Sequence, residues 1–243
     1  MRIILSLAIG FIFQIGFSQV SIGLIGEPTL NLVRIGDTPR KASDSLSGLL
    51  TNDKTLSLGL EVRKQIDRYQ SITFIPGYYQ SNMLLVKEKL NFLDIIHPEL
   101  PEIRDLAQAA EKIAYLHYRQ KYIGTQIIYA KKLKARPSNT KLSFEVGGGI
   151  GAYYLFSDDI KIRTEGFAVN GEYIHIISDN TGIETHNVLV NVLLLGDLNY
   201  SISPRLKVIA GAKFAMPLTA TSTSTPRISI ITPALRFGLR RDL

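Results

Sequence analysis

Apolar and polar residues alternate one by one along much of this chain, most cleanly from Leu142 to Phe156, LSFEVGGGIGAYYLF. On an extended backbone, Leu142, Phe144, Val146, Gly148, Ile150, Ala152, Tyr154 and Phe156 share one face, and Ser143, Glu145, Gly147, Gly149, Gly151 and Tyr153 share the other. The pattern predicts a strand of about fifteen residues, where a soluble strand has about five or six and a tilted membrane-crossing strand needs about 9 to 11. The glycine run invites a second reading, a loop around phosphates. That chemistry needs a helix N-terminus directly after the glycines and, in one version, a Lys-Ser/Thr pair. Here Ala-Tyr-Tyr-Leu-Phe follows Gly151 and no Gly-Lys-Ser/Thr sequence appears. The inward glycines are expected instead to leave room for larger side chains inside a narrow barrel.

The alternation recurs eight times. Val20 to Leu32 places Ser21, Gly23, Ile25, Glu27, Thr29 and Asn31 inward, and Leu56 to Arg63 places Ser57, Gly59, Glu61 and Arg63 inward. A third strand runs from Ile72 through Phe74, Pro76 and Tyr78 toward Leu84, and a fourth from Tyr122 through Ile127 and Tyr129 to Leu133. The sixth sets Val188, Val190, Val192, Leu194, Leu198 and Tyr200 against Asn187, Asn191, Asp197 and Asn199. The seventh sets Leu206 to Met216 against Lys207, Gly211 and Lys213, and the eighth sets Ile231 to Leu239 against Thr232, Arg236, Gly238 and Arg240.

Connections alternate too. The links 66–70, 134–140 and 202–204 are short, and those at 36–54, 91–121, 157–186 and 219–227 are longer. Short turns on one side and long loops on the other are the signature of an up-and-down outer-membrane barrel. Aromatic residues fit two interfacial girdles, with Phe74, Tyr129, Phe144, Tyr200 and Phe237 toward the turns and Tyr122, Tyr154, Phe156 and Phe214 toward the loops. The fold class expected is therefore all-β, an eight-stranded antiparallel up-and-down transmembrane β-barrel.

The N-terminal twenty residues alter this picture only by addition. MRIILSLAIGFIFQIGFSQV has a basic start, an apolar stretch from Ile3 to Phe17 and small residues before Gln19, so residues 1–18 read as a signal peptide and 19–243 as the barrel domain. Cysteine is absent, which removes disulfides and thiolate chemistry from an exported chain. A net charge of +7 would suggest nucleic acid for a cytoplasmic protein, but export argues for no nucleic-acid partner, and the KKLKAR cluster from Lys131 to Arg136 reads as a solvated turn.

With these strands and the final segment SIITPALRFGLRRDL in view, the chain resembles the small outer-membrane β-barrel family that includes the OmpA membrane domain and the PorT-like, porin-family barrels. The resemblance spans Gln19 to Leu243 and implies residence in the outer membrane of a Gram-negative-type envelope, lipid as the surrounding partner, and envelope or secretion-system proteins as further ones. Such barrels often end in an aromatic residue; this chain ends in Leu243, its last outward aromatic being Phe237. The chain stops with the eighth strand, so no peptidoglycan-binding domain is expected after it.

Candidate chemistry is sparse. Barrel lipid A palmitoyltransferases use a loop histidine with a serine and an acid, and His175, Ser178 and Asp179 could be cast in those roles, but a serine three residues from its base on one loop is poor triad geometry. His175, Asp179, Glu184 and His186 have no spacing that fixes a metal. No catalytic residue, metal site or cofactor is expected. Two other groups stand out. Glu61, Arg63, Glu145, Asp197, Lys207 and Arg236 all point inward near the turn side, three acids facing three bases, and are expected to form a paired network that shuts the lumen. In the second long loop, Pro101 opens an expected amphipathic helix with Ile103, Leu106, Ala110, Ile113 and His117 on one face, a lid or a partner-binding surface. The run Thr219 to Pro226 reads as a flexible loop tip. The expected function is a non-enzymatic structural or interaction scaffold. The alternatives are a soluble lipocalin-like ligand-binding barrel, against which the inward charges argue, and a lipid-modifying barrel enzyme.

Overall fold

A computed structural model describes residues 20–36, 49–51, 54–87, 113–133, 141–169, 172–178, 184–223 and 227–243. Its strand segments are β1 (Val20–Leu30), β2 (Leu32–Gly36), β3 (Leu49–Thr51), β4 (Lys54–Gln65), β5 (Gln70–Lys87), β6 (Ile113–Lys132), β7 (Leu142–Val169), β8 (Glu172–Ser178), β9 (Val188–Ser201), β10 (Leu206–Pro217) and β11 (Arg227–Asp242). Neighbours along the sheet are β1, β4, β5, β6, β7, β9, β10 and β11, every pairing is antiparallel, and β1 pairs with β11 to close the ring. β2 prolongs β1 along β11, β3 prolongs β4 along β5, and β8 prolongs the β9 side of β7, so the segments make eight staves. The fold is a transmembrane β-barrel.

Parity decides which side chain meets which solvent. On β1, Ser21, Gly23, Ile25, Glu27, Thr29 and Asn31 are buried, while Ile22, Leu24, Leu30 and Leu32 are exposed. Leu24 is 68% exposed and Leu194 59%, whereas the inward Leu193 is 0% exposed. Exposed leucines, isoleucines and valines continue around the wall on β4, β6, β7, β9 and β11. A belt of this size in water would drive association, and closed strands are the form in which a sheet satisfies its backbone inside lipid. From Ile22 to Leu32 the belt runs ten residues, roughly 34 Å along the strand and about 26 Å along the barrel axis after tilting.

The glycine run lies where the inside is most crowded. A Cβ on Gly151 would fall into the phenol ring of Tyr153, whose side chain folds back over it. Tyr153 meets Tyr79 edge-on at 4.6 Å between ring centres, and with Tyr122, Leu155 and Leu189 it fills the upper lumen. Below them Ile75, Ile128, Leu193, Leu195 and Ala215 form an inner apolar cluster.

Several expectations are corrected here. The fourth stave starts at Ile113 instead of Tyr122, so Ile113 and His117 are strand residues and not part of a helix. Their backbones pair with β5 and β7, Ala114 opposite Lys87 and Ile113 opposite Glu165, and two flanking ladders override a weak helical pattern. Ile103, Leu106 and Ala110 lie outside the described residues, as do residues 1–19 with the signal-peptide segment. The supposed loop 157–186 begins as strand: β7 continues to Val169 and turns into β8. Tyr122 leaves the girdle, being 3% exposed and inward, whereas Tyr129, Phe144, Tyr154, Phe156, Tyr200, Phe214 and Phe237 are exposed on the outer wall.

Candidate functional site: the ion-paired lumen

Eight charged residues are buried among the described residues, the acids Glu27, Glu61, Glu145 and Asp197 and the bases Arg63, Lys213, Arg236 and Arg240. All project from inward positions of β1, β4, β7, β9, β10 and β11. Four acids against four bases leave the group formally neutral. Arg63 donates from Nη1 and Nη2 to the two carboxylate oxygens of Glu145, at 2.5 and 2.8 Å. Arg236 donates from Nη1 to Asp197 at 2.5 Å and from Nε to Glu27 at 3.1 Å, with Glu61 3.9 Å from its Nη2. Lys213 donates to the other oxygen of Glu27, and Arg240 donates to Glu61 from Nε and to Asn199 from Nη1 at 3.1 Å. Burying any one of these charges alone would cost several kcal/mol. Fixed ion-pair geometry offsets part of that cost, Glu61 Oε2 and Asp197 Oδ1 having no hydrogen-bond partner, and the forked guanidinium supplies such geometry better than an ammonium.

Strand register explains why the partners meet. Gly211 stands opposite Asp197 on one side and Arg236 on the other. A Cβ there would strike Asp197 Oδ1, so the missing side chain is the gap through which Asp197 reaches Arg236. Gly23 repeats the device, lying between Glu61 and Arg240 in register, with its notional Cβ 2.7 Å from the Leu239 carbonyl oxygen and 3.4 Å from Arg240 Cβ. In both rows an acid, a glycine and an arginine lie across three adjacent staves, and the two long side chains join over the glycine.

Of the six charges singled out in the sequence, Glu61, Arg63, Glu145, Asp197 and Arg236 lie in this group. Lys207 is bonded instead to Asp242 at 2.6 Å, partly exposed at the turn-side rim, where Asp242 also accepts from Ser21 at 2.8 Å. Glu27, Lys213 and Arg240 were missed as members, although parity placed each of them inward. Glu27 and Lys213 lie above the turn-side half, whereas Arg240 lies within it, opposite Lys207.

The other end of the lumen is covered by the segment after β10. Ala220, Thr221 and Ser222 are buried, a correction to the flexible tip expected for Thr219 to Pro226, of which residues 224–226 lie outside the described set. Ser222 bridges Thr185, His186 N donates to Thr221 O at 3.0 Å, and Thr223 N donates to Glu184 O at 2.9 Å. Beneath this strap the Tyr118 hydroxyl donates to Thr221 O at 3.5 Å. A cavity of about 60 Å3 remains below it, with Tyr79, Tyr122, Tyr153, Asn191 and Lys213 among its lining. Glu184 and His186 thus border the strap, His175 and Ser178 fall on β8, and Asp179 lies outside the described residues.

No family model matches the sequence, and no curated protein matches it. Among solved structures the chain is similar to Neisserial surface protein A, with 10% identity, 92% of this chain and 97% of that one covered, and a TM-score of 0.42. It is also similar to the outer membrane protein OprG from Pseudomonas aeruginosa, with 9% identity, 93% and 96% coverage and a TM-score of 0.43. The attachment invasion locus protein Ail of Yersinia pestis shares 10% identity over 92% of this chain and 98% of that one, with a TM-score of 0.33.

Proposed function

We propose that the protein is a non-enzymatic outer-membrane scaffold: a shut barrel, exported by its N-terminal segment, that anchors an outer sheet for interaction. The observation that carries this reading is the neutral set of eight buried charges with Arg236 at its centre, bonded to both Glu27 and Asp197. A lumen crossed by fixed ion pairs and overlaid by the Ala220 to Ser222 strap offers no continuous water path. Support for the interaction half comes from β5, β6 and β7. β9 begins at Val188, opposite Tyr154, whereas β6 continues nine residues beyond Tyr122 to Ile113, a projection of roughly 30 Å.

The resemblance to PorT-like barrels extends the proposal to an accessory role beside an envelope secretion system. The test is fractionation of cells producing the protein, followed by gentle solubilisation and identification of what accompanies it. The protein is expected in the outer-membrane fraction, migrating faster on a denaturing gel before heating than after, together with an envelope protein that is lost when the projecting part of the β6–β7 sheet is shortened. Recovery in the soluble periplasm without detergent would overturn the barrel assignment, and recovery from the membrane with no companion would overturn the accessory role.

A further inference from the structure

The turn-side end of the barrel carries cations of a single kind of placement. On β4 the outward series Leu58, Leu60, Val62 continues to Lys64; on β6 Ile127 and Tyr129 continue to Lys131; on β11 Phe237 and Leu239 continue to Arg241. Each cation stands two residues, hence about 7 Å, beyond Val62, Tyr129 or Leu239, and the exposed Ile66, Leu133 and Leu243 follow at the next outward positions. Arg68, Lys141 and Arg205 lie exposed at the starts and turns between these staves. Six cations thus encircle the barrel just outside the aromatic girdle. Side-chain acids of the described residues near this rim are Asp67 and Asp242, and both are engaged: Asp67 accepts from the backbone of Tyr69 and Gln70 at 2.6 and 2.8 Å, and Asp242 pairs with Lys207. The loop end differs, because there Arg119 and Lys121 share the rim with Asp158, Asp159 and Glu184.

We propose that this ring is a binding collar for anionic phospholipid headgroups in the leaflet at the turn end. The inference rests on the membrane-barrel reading and goes beyond it by naming the lipid and the end. Lysine and arginine stems can lie along the apolar belt while their heads reach the phosphate level, where the headgroup supplies the counter-charge. Tyr129 and Phe237 set the depth, and the strand pleat then holds Lys64, Lys131 and Arg241 at the height of lipid phosphate. A lipid surface fits the collar better than a compact anion does, since the cations are spread around the circumference and do not converge on one point.

The test uses the full chain refolded in vesicles, with acyl-chain spin-labelled phosphatidylglycerol or phosphatidylcholine as the probe of lipid held at the barrel wall. The protein is expected to hold phosphatidylglycerol in preference to phosphatidylcholine at low salt, each removed cation lowering that preference by up to about fivefold. Lys64→Gln, Lys131→Gln and Arg241→Gln together should lower the ratio further than any one of them alone, while Arg119→Gln with Lys121→Gln leaves it unchanged. Heat-dependent gel migration checks that each variant is folded, and Lys64→Gln or Arg241→Gln alone carries the test if the triple variant is not. Equal retention of the two lipids by the unmodified protein, or an undiminished preference in the folded variants, would overturn the collar. Displacement by inorganic phosphate beyond that by chloride at equal ionic strength would also overturn it, in favour of a free-anion site. Absence of any restricted lipid in pure phosphatidylcholine would instead contradict the membrane barrel itself.

Discussion

Arg63 and Glu145, on staves β4 and β7 and 82 residues apart in sequence, hold each other across the lumen by two parallel hydrogen bonds of 2.5 and 2.8 Å. Each is the other's hydrogen-bonded counter-ion. Glu145→Ala leaves the guanidinium buried without its carboxylate, and the expected loss is about 3 to 5 kcal/mol of unfolding free energy. Arg63→Ala combined with Glu145→Ala should cost less than the sum of the two single changes. Urea titration read by the shift between folded and unfolded gel bands measures all three, and additive losses would contradict the pairing.

Gly211→Ala tests the glycine gap. The new methyl group would occupy the space of Asp197 Oδ1 and force that carboxylate away from Arg236. Destabilisation of about 1 to 3 kcal/mol is expected, as for other overpacked interiors. Gly196 provides the control on the neighbouring stave, because a Cβ there would meet the Phe144 ring at Cζ, 3.5 Å, and Cε2, 3.8 Å, both ordinary contacts. Gly196→Ala is expected to be neutral or slightly stabilising in the same titration.

The two-residue period made the staves and the inward charges legible from sequence, because each side of the wall meets a different medium and a slip of one residue would exchange them. Glu27, Lys213 and Arg240 obey the same parity as Glu61 and Arg236; Glu27 and Lys213 lie above the turn-side half, whereas Arg240 stands within it, opposite Lys207. Tyr122 shows the opposite case: its aromatic character suggests a girdle, but its parity, shared with the buried Gln120 and Gln126, turns it inward. Near Ile113 the period is blurred in the sequence, since Ile-Ala-Tyr-Leu carries apolar or aromatic residues at both parities, and only pairing with β5 and β7 resolves the strand. The strap had no signal of its own. A run of threonine and serine looks mobile until its backbone finds Glu184 to His186, a partner remote in sequence.

The strap can be locked without touching the barrel wall. Thr185 and Ser222 face each other in an isolated antiparallel bridge, and the chain has no cysteine of its own. Opposed residues in such a bridge lie about 4.5 to 5.5 Å apart at Cα, within the reach of a disulfide. Thr185→Cys with Ser222→Cys is expected to cross-link under mild oxidation with no change in heat-dependent migration. Failure to cross-link in the folded protein would show that the segment does not rest on the mouth.

Conductance of the purified protein in planar lipid bilayers tests the shut lumen most directly. With Glu27, Asp197 and Arg236 joined across the interior, Arg63 closed on Glu145 and the strap above them, the unmodified protein is expected to pass no steady current at moderate voltage. Arg236→Ala, which removes the central cation, is the variant expected to admit brief openings. Long-lived ohmic channels from the unmodified, folded protein would contradict the ion-paired plug and the scaffold role built on it.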